Sequence, residues 1–256
     1  MPTIVLKIGG RASESREGLL DLSDEMLELS RENRLLMVHG GGPEVTAVSK
    51  RFGIEAVFQN GIRQTSAEEM DIVDMVLAGK VNKHLVRLLR SRGLDAVGLS
   101  GADGGIINAE RMGGADAQTR TGDVTGVNPR LLELLLENGF LPVVSSPSMD
   151  KAGNGLNINA DTVAFRIAAH LKAWALVFFS DAPGILSDGS VVQALSAPEA
   201  ERLIARGVIA GGMVPKVSAS LAAMDQGVGK VIIGQYEGPG SLARLIDGKQ
   251  GTRLWK

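Results

Sequence analysis

Cysteine is absent from all 256 residues, which removes disulfides, thiolate metal sites and cysteine nucleophiles from consideration. Aromatic side chains make up only 4% of the chain, with one tyrosine and two tryptophans, so there is little surface on which bases could stack. The formal net charge is −2, which leaves no electrostatic footprint for nucleic acid. No apolar run is long enough to span a bilayer, and the first residues enter a strand pattern without a cationic and apolar leader. A soluble, cytoplasmic protein is therefore the expectation. Repeats, low-complexity tracts and linkers are also missing, so 1–256 reads as a single domain.

What the chain does have is glycine, 33 residues of it, several placed where apolar runs end. Thr3-Ile4-Val5-Leu6-Lys7-Ile8 reads as a buried parallel strand that carries a cation near its end and runs into Gly9-Gly10. An unpaired ammonium there would cost several kcal/mol, so an anion should face Lys7. A second strand, Leu35 to Val38, runs into His39-Gly40-Gly41-Gly42-Pro43-Glu44 and then a helical pattern. Two glycine corners at strand ends suggest a phosphate site. The Walker A pattern is absent, and the second corner lacks the third glycine of the dinucleotide fingerprint. Backbone N–H groups, with the N-terminus of the helix that Pro43 opens, would then form the nest.

Apolar runs alternate with helical periodicity along the whole chain, the pattern of an α/β architecture. Strands are expected at 3–8, 35–38, 96–99, 140–144, 175–179 and 230–233. Helices are expected at about 17–32, 43–52, 67–78, 80–92, 128–138, 159–171, 197–206, 215–227 and 241–246. Glycine-rich polar segments at 100–126 and 150–158 suggest hairpins or lids.

Two further clusters stand out. In Asn157-Ile158-Asn159-Ala160-Asp161, Asn159 suits a helix N-cap and Asp161 the first helical turn, whereas Asn157 has no helical duty. In Gly211-Gly212-Met213-Val214-Pro215-Lys216, a lysine occupies the first turn of a helix, where the dipole disfavours a cation. Lys216 thus needs an anionic partner as much as Lys7 does.

Taken together, these segments resemble the amino-acid kinase family, and within it the acetylglutamate kinases. The resemblance rests on six blocks in the family's order: Lys7-Ile8-Gly9-Gly10, His39-Gly40-Gly41-Gly42, Asn60-Gly61-Ile62-Arg63, Asn157 to Asp161, Ser180-Asp181-Ala182-Pro183-Gly184-Ile185 and Gly211 to Lys216. It implies an open, mostly parallel sheet of about eight strands sandwiched by helices in three αβα layers. An N-terminal lobe, about 1–173, would bind the acyl substrate and dimerise, and a C-terminal lobe, about 174–256, would bind ATP. By the same resemblance Lys7 and Lys216 would flank the transferring phosphoryl group, with Asp161 holding both. Gly41, Gly42, Arg63 and Asn157 would hold the substrate, and Gly9, Gly10, Asp181 and Gly212 the nucleotide side.

The implied reaction is ATP-dependent phosphorylation of the side-chain carboxylate of N-acetyl-L-glutamate, on the arginine route. A carboxylate is already ionised at neutral pH, so no general base is needed. The histidines are then free of catalytic duty: His84 and His170 read as helix-face residues, and His39 as a group that shapes its glycine corner. Mg²⁺ would bind through the ATP phosphates and no protein metal site is expected. A homodimer without arginine feedback is implied because the chain lacks the extra N-terminal helix of arginine-inhibited members. After Ile232-Ile233-Gly234 the family's usual Gly-Arg segment is replaced by Gln235-Tyr236-Glu237-Gly238-Pro239-Gly240. Kinases that act on carrier-linked aminoadipate or glutamate share most of these blocks. For them an acidic carrier protein would be the partner, and Lys80, Lys83, Arg87, Arg90 and Arg92 offer a basic stretch to receive it. A non-catalytic amino-acid sensor on the same fold is the reading from another class, and the presence of both lysines counts against it.

Overall fold

The computed structural model describes residues 1–9, 15–59, 62–114 and 118–256. Gly10, Asn60 and Gly61, named above, lie outside the described residues. The chain begins with β1 (Thr3–Ile8), α1 (Arg16–Ser30), β2 (Arg34–His39), α2 (Gly42–Arg51) and the hairpin strands β3 (Phe58–Gln59) and β4 (Ile62–Arg63). A long helical rod follows, made of α3 (Ala67–Val73), a π-helical stretch (Asp74–Val81) and α4 (Asn82–Ser91). Next come β5 (Ala96–Ser100), β6 (Ile107–Arg111), β7 (Thr121–Val127), α5 (Arg130–Glu137), β8 (Leu141–Ser145), β9 (Ser148–Met149), β10 (Gly155–Ile158) and α6 (Ala160–His170). The remainder holds β11 (Ala175–Phe179), β12 (Leu186–Ser187), β13 (Ser190–Val191), β14 (Ala194–Ser196), α7 (Ala197–Ala205), α8 (Met213–Asp225), β15 (Val231–Gly234), α9 (Ser241–Ile246) and β16 (Thr252–Trp255).

Eight of these strands form one sheet in the order β14-β16-β15-β11-β1-β2-β8-β5. All neighbours are parallel except β15 and β16. The sequence expectation of a mostly parallel sheet with helices on both faces is met. Because successive side chains of a strand point to opposite faces, β1 divides its residues between two cores. Ile4, Leu6 and Ile8 pack with residues of α1, α4 and α9. Val5 packs with residues of α5, α6, α7 and α8. Each fully buried aliphatic side chain contributes about 1.5–3 kcal/mol, and β1 is buried on both sides. Lys7 has the parity of Val5, so it projects toward α6 and α8; His39 has the parity of Leu35 and Met37, so it projects toward α1 and α4.

Helix starts fall into two kinds. Ser15 caps α1, Ser66 caps α3 and Asn159 caps α6, each accepting backbone N–H bonds. The carboxylate of Glu25 on α1 performs that service for α9, accepting from Gly240 and Leu242 N–H at 2.9 and 2.8 Å. By contrast α2 and α8 start at Gly41 and Gly42 and at Gly212 and Met213 with no side-chain cap. At α8 the Met213 and Val214 N–H groups are taken up by backbone instead, donating to Ala210 O and Gly211 O at 3.3 and 3.2 Å.

Several expectations are revised by the structure. The helices foreseen at 67–78 and 80–92 are one continuous rod, in which the π stretch adds a residue to the turn instead of breaking the helix near Gly79. Helix α8 begins at Met213, so Pro215 is its third residue and still lies in the first turn, where its missing N–H costs nothing. Strands β14 and β16 were not foreseen, because both are short and take their sheet position from non-local pairing. The segments at 100–126 and 150–158 supply β6, β7 and β10, which with β9 close into a small four-stranded ring beside the main sheet. The main sheet itself is continuous across residue 174, through the β1–β11 ladder.

Gly98 shows how closely α4 sits on β5. A Cβ there would lie 2.1 Å from Asn82 Oδ1, 2.7 Å from Lys83 Nζ and 2.8 Å from Val86 Cγ2. Gly98→Ala is expected to destabilise the protein by about 1–3 kcal/mol through overpacking. Urea unfolding of the two proteins measures this, and equal midpoints would show that α4 can move away without cost.

Candidate active site

The carboxyl ends of β1, β2, β8 and β11 lie along one edge of the sheet because these strands are parallel. From β1 the chain steps to β2 on one side, and later reaches β11 on the other, so β1 sits where the strand order reverses. Ligands of open α/β sheets bind outside the carboxyl ends at such a point. Lys7, Gly9 and the 39–42 corner all fall there.

Parity carries Lys7 to the α6 face, and there its Nζ lies 2.7 Å from Asp161 Oδ1. Lys216, in the first turns of α8, places its Nζ 3.3 Å from Asp161 Oδ2 and 5.4 Å from the Phe178 ring centroid. One carboxylate thus serves two ammonium groups, all three side chains being mostly but not wholly buried. Burial pushes the Asp161 carboxyl upward, but the charges of Lys7 and Lys216 and their hydrogen bonds outweigh it and hold the group below its usual range. Asp161 is placed by its helix: Asn159 Oδ1 accepts from the N–H groups of Asp161 and Thr162 at 2.8 and 3.2 Å. Gly9 completes the arrangement, since a Cβ at that position would meet Lys7 Nζ at 2.8 Å.

The second glycine corner closes on the same place, with the Cβ position of Gly40 lying 3.4 Å from Ala160 Cβ. Gly41 has φ of 152°, in the range that favours glycine, and a side chain there would meet Leu77 Cδ2 at 2.8 Å. Among the described residues nothing beyond its own chain neighbours and helix backbone lies within 4 Å of the Cβ position of Gly42. His39 is buried beneath this corner and its Nδ1 donates to Gly40 O at 2.9 Å. Burial pushes its pKa down to about 4; the Gly40 carbonyl works against this and the charges of Lys83 and Lys7 reinforce it.

The expected substrate residues are joined in one network. Arg63 Nη2 donates to Gly42 O at 3.2 Å and to Thr46 Oγ1, while its Nη1 lies 2.7 Å from Glu69 Oε1. Asn157 Nδ2 donates to Thr65 Oγ1 at 2.8 Å, and Thr121 Oγ1 ties Thr65 N–H to Arg63 O. Arg63, Gly42 and Asn157 are therefore brought together. Asp181 is exposed just past the end of β11, and Gly212 is exposed as the N-cap residue of α8, four positions before Lys216.

Glu69 was missed by the sequence reading. Ser66-Ala67-Glu68-Glu69 has the spacing of a capping box, which accounts for the glutamate without any further duty. In the structure only half of that box forms: Ser66 Oγ accepts from Glu69 N–H, whereas the Glu69 carboxylate turns to Arg63 and Ser49. With side-chain exposures of 9% and 2%, Arg63 and Glu69 form a buried pair. Removing one partner of such a pair typically costs about 3–5 kcal/mol.

A carboxylate bridging two lysines, two helices that start on glycine without side-chain caps and an arginine held by a buried glutamate thus gather near the carboxyl ends of the strands. The comparisons agree in class: the model of the amino acid kinase family matches residues 2–235, and the chain belongs to that family. Among its relatives, acetylglutamate kinase of Geobacillus kaustophilus (strain HTA426) is 44% identical over 236 residues, covering 90% of this chain and 89% of that protein. Acetylglutamate kinase of Synechococcus sp. (strain JA-2-3B'a(2-13)) is 42% identical over 258 residues, covering 98% and 82%. The crystal structure of smu.665 from Streptococcus mutans UA159 is 30% identical with a TM-score of 0.80, covering 99% of this chain and 98% of that one.

His39 gives the site a pH signature. Its folded pKa of about 4 lies below its ordinary 6.5, so between these values the unfolded chain binds more protons than the folded one. The contribution is fully present above 6.5 and is lost as pH falls toward 4. Chemical unfolding at a series of pH values is expected to show a loss of about 3 kcal/mol across this window. His39→Asn is expected to remove that slope, and an unchanged slope in the variant would assign it to other groups.

Proposed function

We propose that the protein transfers the γ-phosphoryl group of ATP to the side-chain carboxylate of N-acetyl-L-glutamate. The observation that carries this reading is the pair of ammonium groups held 2.7 and 3.3 Å from the two oxygens of Asp161, at the foot of two uncapped helices. A carboxylate oxygen of the substrate attacks the γ-phosphorus, the bond to the β–γ bridging oxygen breaks, and ADP leaves. No proton moves, so catalysis consists of positioning and charge neutralisation. Lys7 and Lys216 neutralise charge on the phosphoryl oxygens as it spreads, and Asp161 keeps the two cations from drifting apart. The N–H groups of Gly9, Gly41 and Gly42 donate to phosphoryl and carboxylate oxygens. Arg63 and Asn157 hold the amino-acid end of the substrate. Asp181 and the Gly212 corner serve the nucleotide, which places the acyl substrate with the N-terminal half and ATP with the C-terminal half.

Mg²⁺, bound through the ATP phosphates, would add to the neutralisation of their charge. Among the described residues no group of three or more His, Asp or Glu side chains is arranged to hold a metal ion, and Asp161 is committed to its lysines. The family resemblance supports a cytoplasmic homodimer, and no helix among the described residues is long and apolar enough to cross a membrane. Sedimentation of the purified protein tests the dimer.

Lys7→Ala and Lys216→Ala are each expected to lower kcat at least 100-fold with the fold intact, as loss of a transition-state donor does, to about 10²–10³. Asp161→Asn is expected to act likewise. A coupled ADP assay with N-acetyl-L-glutamate decides, and near-normal turnover by either lysine variant would place the chemistry elsewhere.

Arg63→Lys is expected to raise KM for the acyl amino acid far more than for ATP, since a point charge replaces a planar fork. An effect confined to ATP would reverse the assignment of the two halves. The same assay with N-acetyl-aminoadipate, one methylene longer, is expected to show little turnover. Activity only on a carrier-bound acid would establish the carrier-linked reading instead.

A further inference from the structure

Asn82 is the first residue of α4, directly after the π stretch, and is completely buried. Neither its helix nor its neighbours in sequence explain why an amide is buried there. Its Nδ2 lies 3.0 Å from His39 Nε2, 2.8 Å from Val143 O and 3.3 Å from Leu99 O. Two of these three are carbonyl oxygens, which only accept, so the nitrogen end of the amide faces them. The oxygen end accepts from Lys83 Nζ at 2.9 Å. The orientation of the amide is thus set by its surroundings on both ends; its two hydrogens serve the two shorter contacts, Val143 O and His39 Nε2, with Leu99 O the longest of the three.

A ring nitrogen that accepts carries no proton, so the proton of the neutral imidazole lies on Nδ1, the nitrogen 2.9 Å from Gly40 O. In a trans peptide the C=O and the following N–H point in opposite directions, and the described chain has no cis peptide. Fixing the Gly40 carbonyl toward His39 therefore turns the Gly41 N–H the other way. Among the described residues that N–H has no acceptor in the protein.

We infer that Asn82 and His39 form a positioning pair for phosphoryl transfer: Asn82 sets the His39 tautomer, and His39 Nδ1–H holds the Gly40 carbonyl so that the Gly41 N–H is aimed at a ligand oxygen. The inference rests on the phosphoryl-transfer reading of the site. It gives the π stretch a purpose, because the widened turn delivers Asn82 toward His39 while its own Leu77 and Val81 wall the Gly41 corner at 2.8 and 3.3 Å from the Cβ position. Burial keeps His39 neutral, with its pKa near 4, so the tautomer persists at neutral pH.

Two substitutions at His39 separate positioning from bulk packing. An asparagine amide nitrogen takes roughly the place of Nδ1, whereas a glutamine amide nitrogen takes roughly that of Nε2. His39→Asn is expected to keep kcat within about 10-fold of the parent, and His39→Gln to lose about 100-fold, the scale of one misplaced donor. KM for ATP is expected to change by only a few fold in both. Equal losses in the two variants, or a better glutamine variant, would overturn the pair, since mere filling of space favours the larger side chain. ¹⁵N NMR of the histidine rings in the unsubstituted protein is expected to show His39 protonated on Nδ1 alone, and protonation on Nε2 would overturn it without any variant. Asn82→Asp supplies an acceptor in place of the donor and is expected to put a proton on Nε2 and lower kcat more than about 10-fold. A shifted proton with unchanged kcat would also overturn the pair. Absence of ADP release from the unsubstituted protein with any blocked glutamate or aminoadipate would instead count against the parent reading.

Discussion

Asp161 is the group on which the rest of the site depends. Two ammonium groups drawn to one carboxylate repel each other, and burial penalises each of them separately. A single carboxylate that meets both removes most of that cost and leaves the cluster with a net positive charge. The cost of burying the carboxylate is met in turn by the lysines and by its position in the first turn of α6, where the helix dipole favours an anion. Three elements distant in sequence, β1, α6 and α8, are tied at this point.

The glycine corners around this cluster are built from backbone. Helices α2 and α8 lack the side-chain caps that finish α1, α3 and α6, and both start on glycine corners instead. Side chains act one step back, holding backbone in place. His39 does so for the 40–42 corner, and Glu69 does so for Arg63, whose Nη2 also grips the Gly42 carbonyl.

Much of this was legible in the sequence because the signals were violations. Lys7 ends a buried strand, Lys216 contradicts a helix dipole and Asn157 lies beyond its cap, and each needed a partner that local structure does not provide. The fold class followed from alternating strand and helix patterns whose ends mostly fall within two residues of those observed. What stayed hidden obeyed a local rule or depended on distant pairing. Glu69 fits a capping box and so raised no question. Asn82 meets His39 across 43 positions of sequence, and nothing near either residue announces the other. The π stretch reads as ordinary helix, since one additional residue in a turn leaves the apolar pattern almost unchanged. Strands β14 and β16 are too short to show alternation and exist because β15 offers an edge.

The two-residue period of β1 has a consequence for how such a chain can diverge. Lys7 reaches Asp161 only because it shares a face with Val5, while Ile4, Leu6 and Ile8 fill the opposite core. Gain or loss of one codon between Thr3 and Lys7 would exchange the two faces, sending the ammonium into hydrocarbon and bringing aliphatic carbon to the carboxylate. Descendants of this chain are free to vary length in the turns around the sheet, but within its first strand they are confined to substitution.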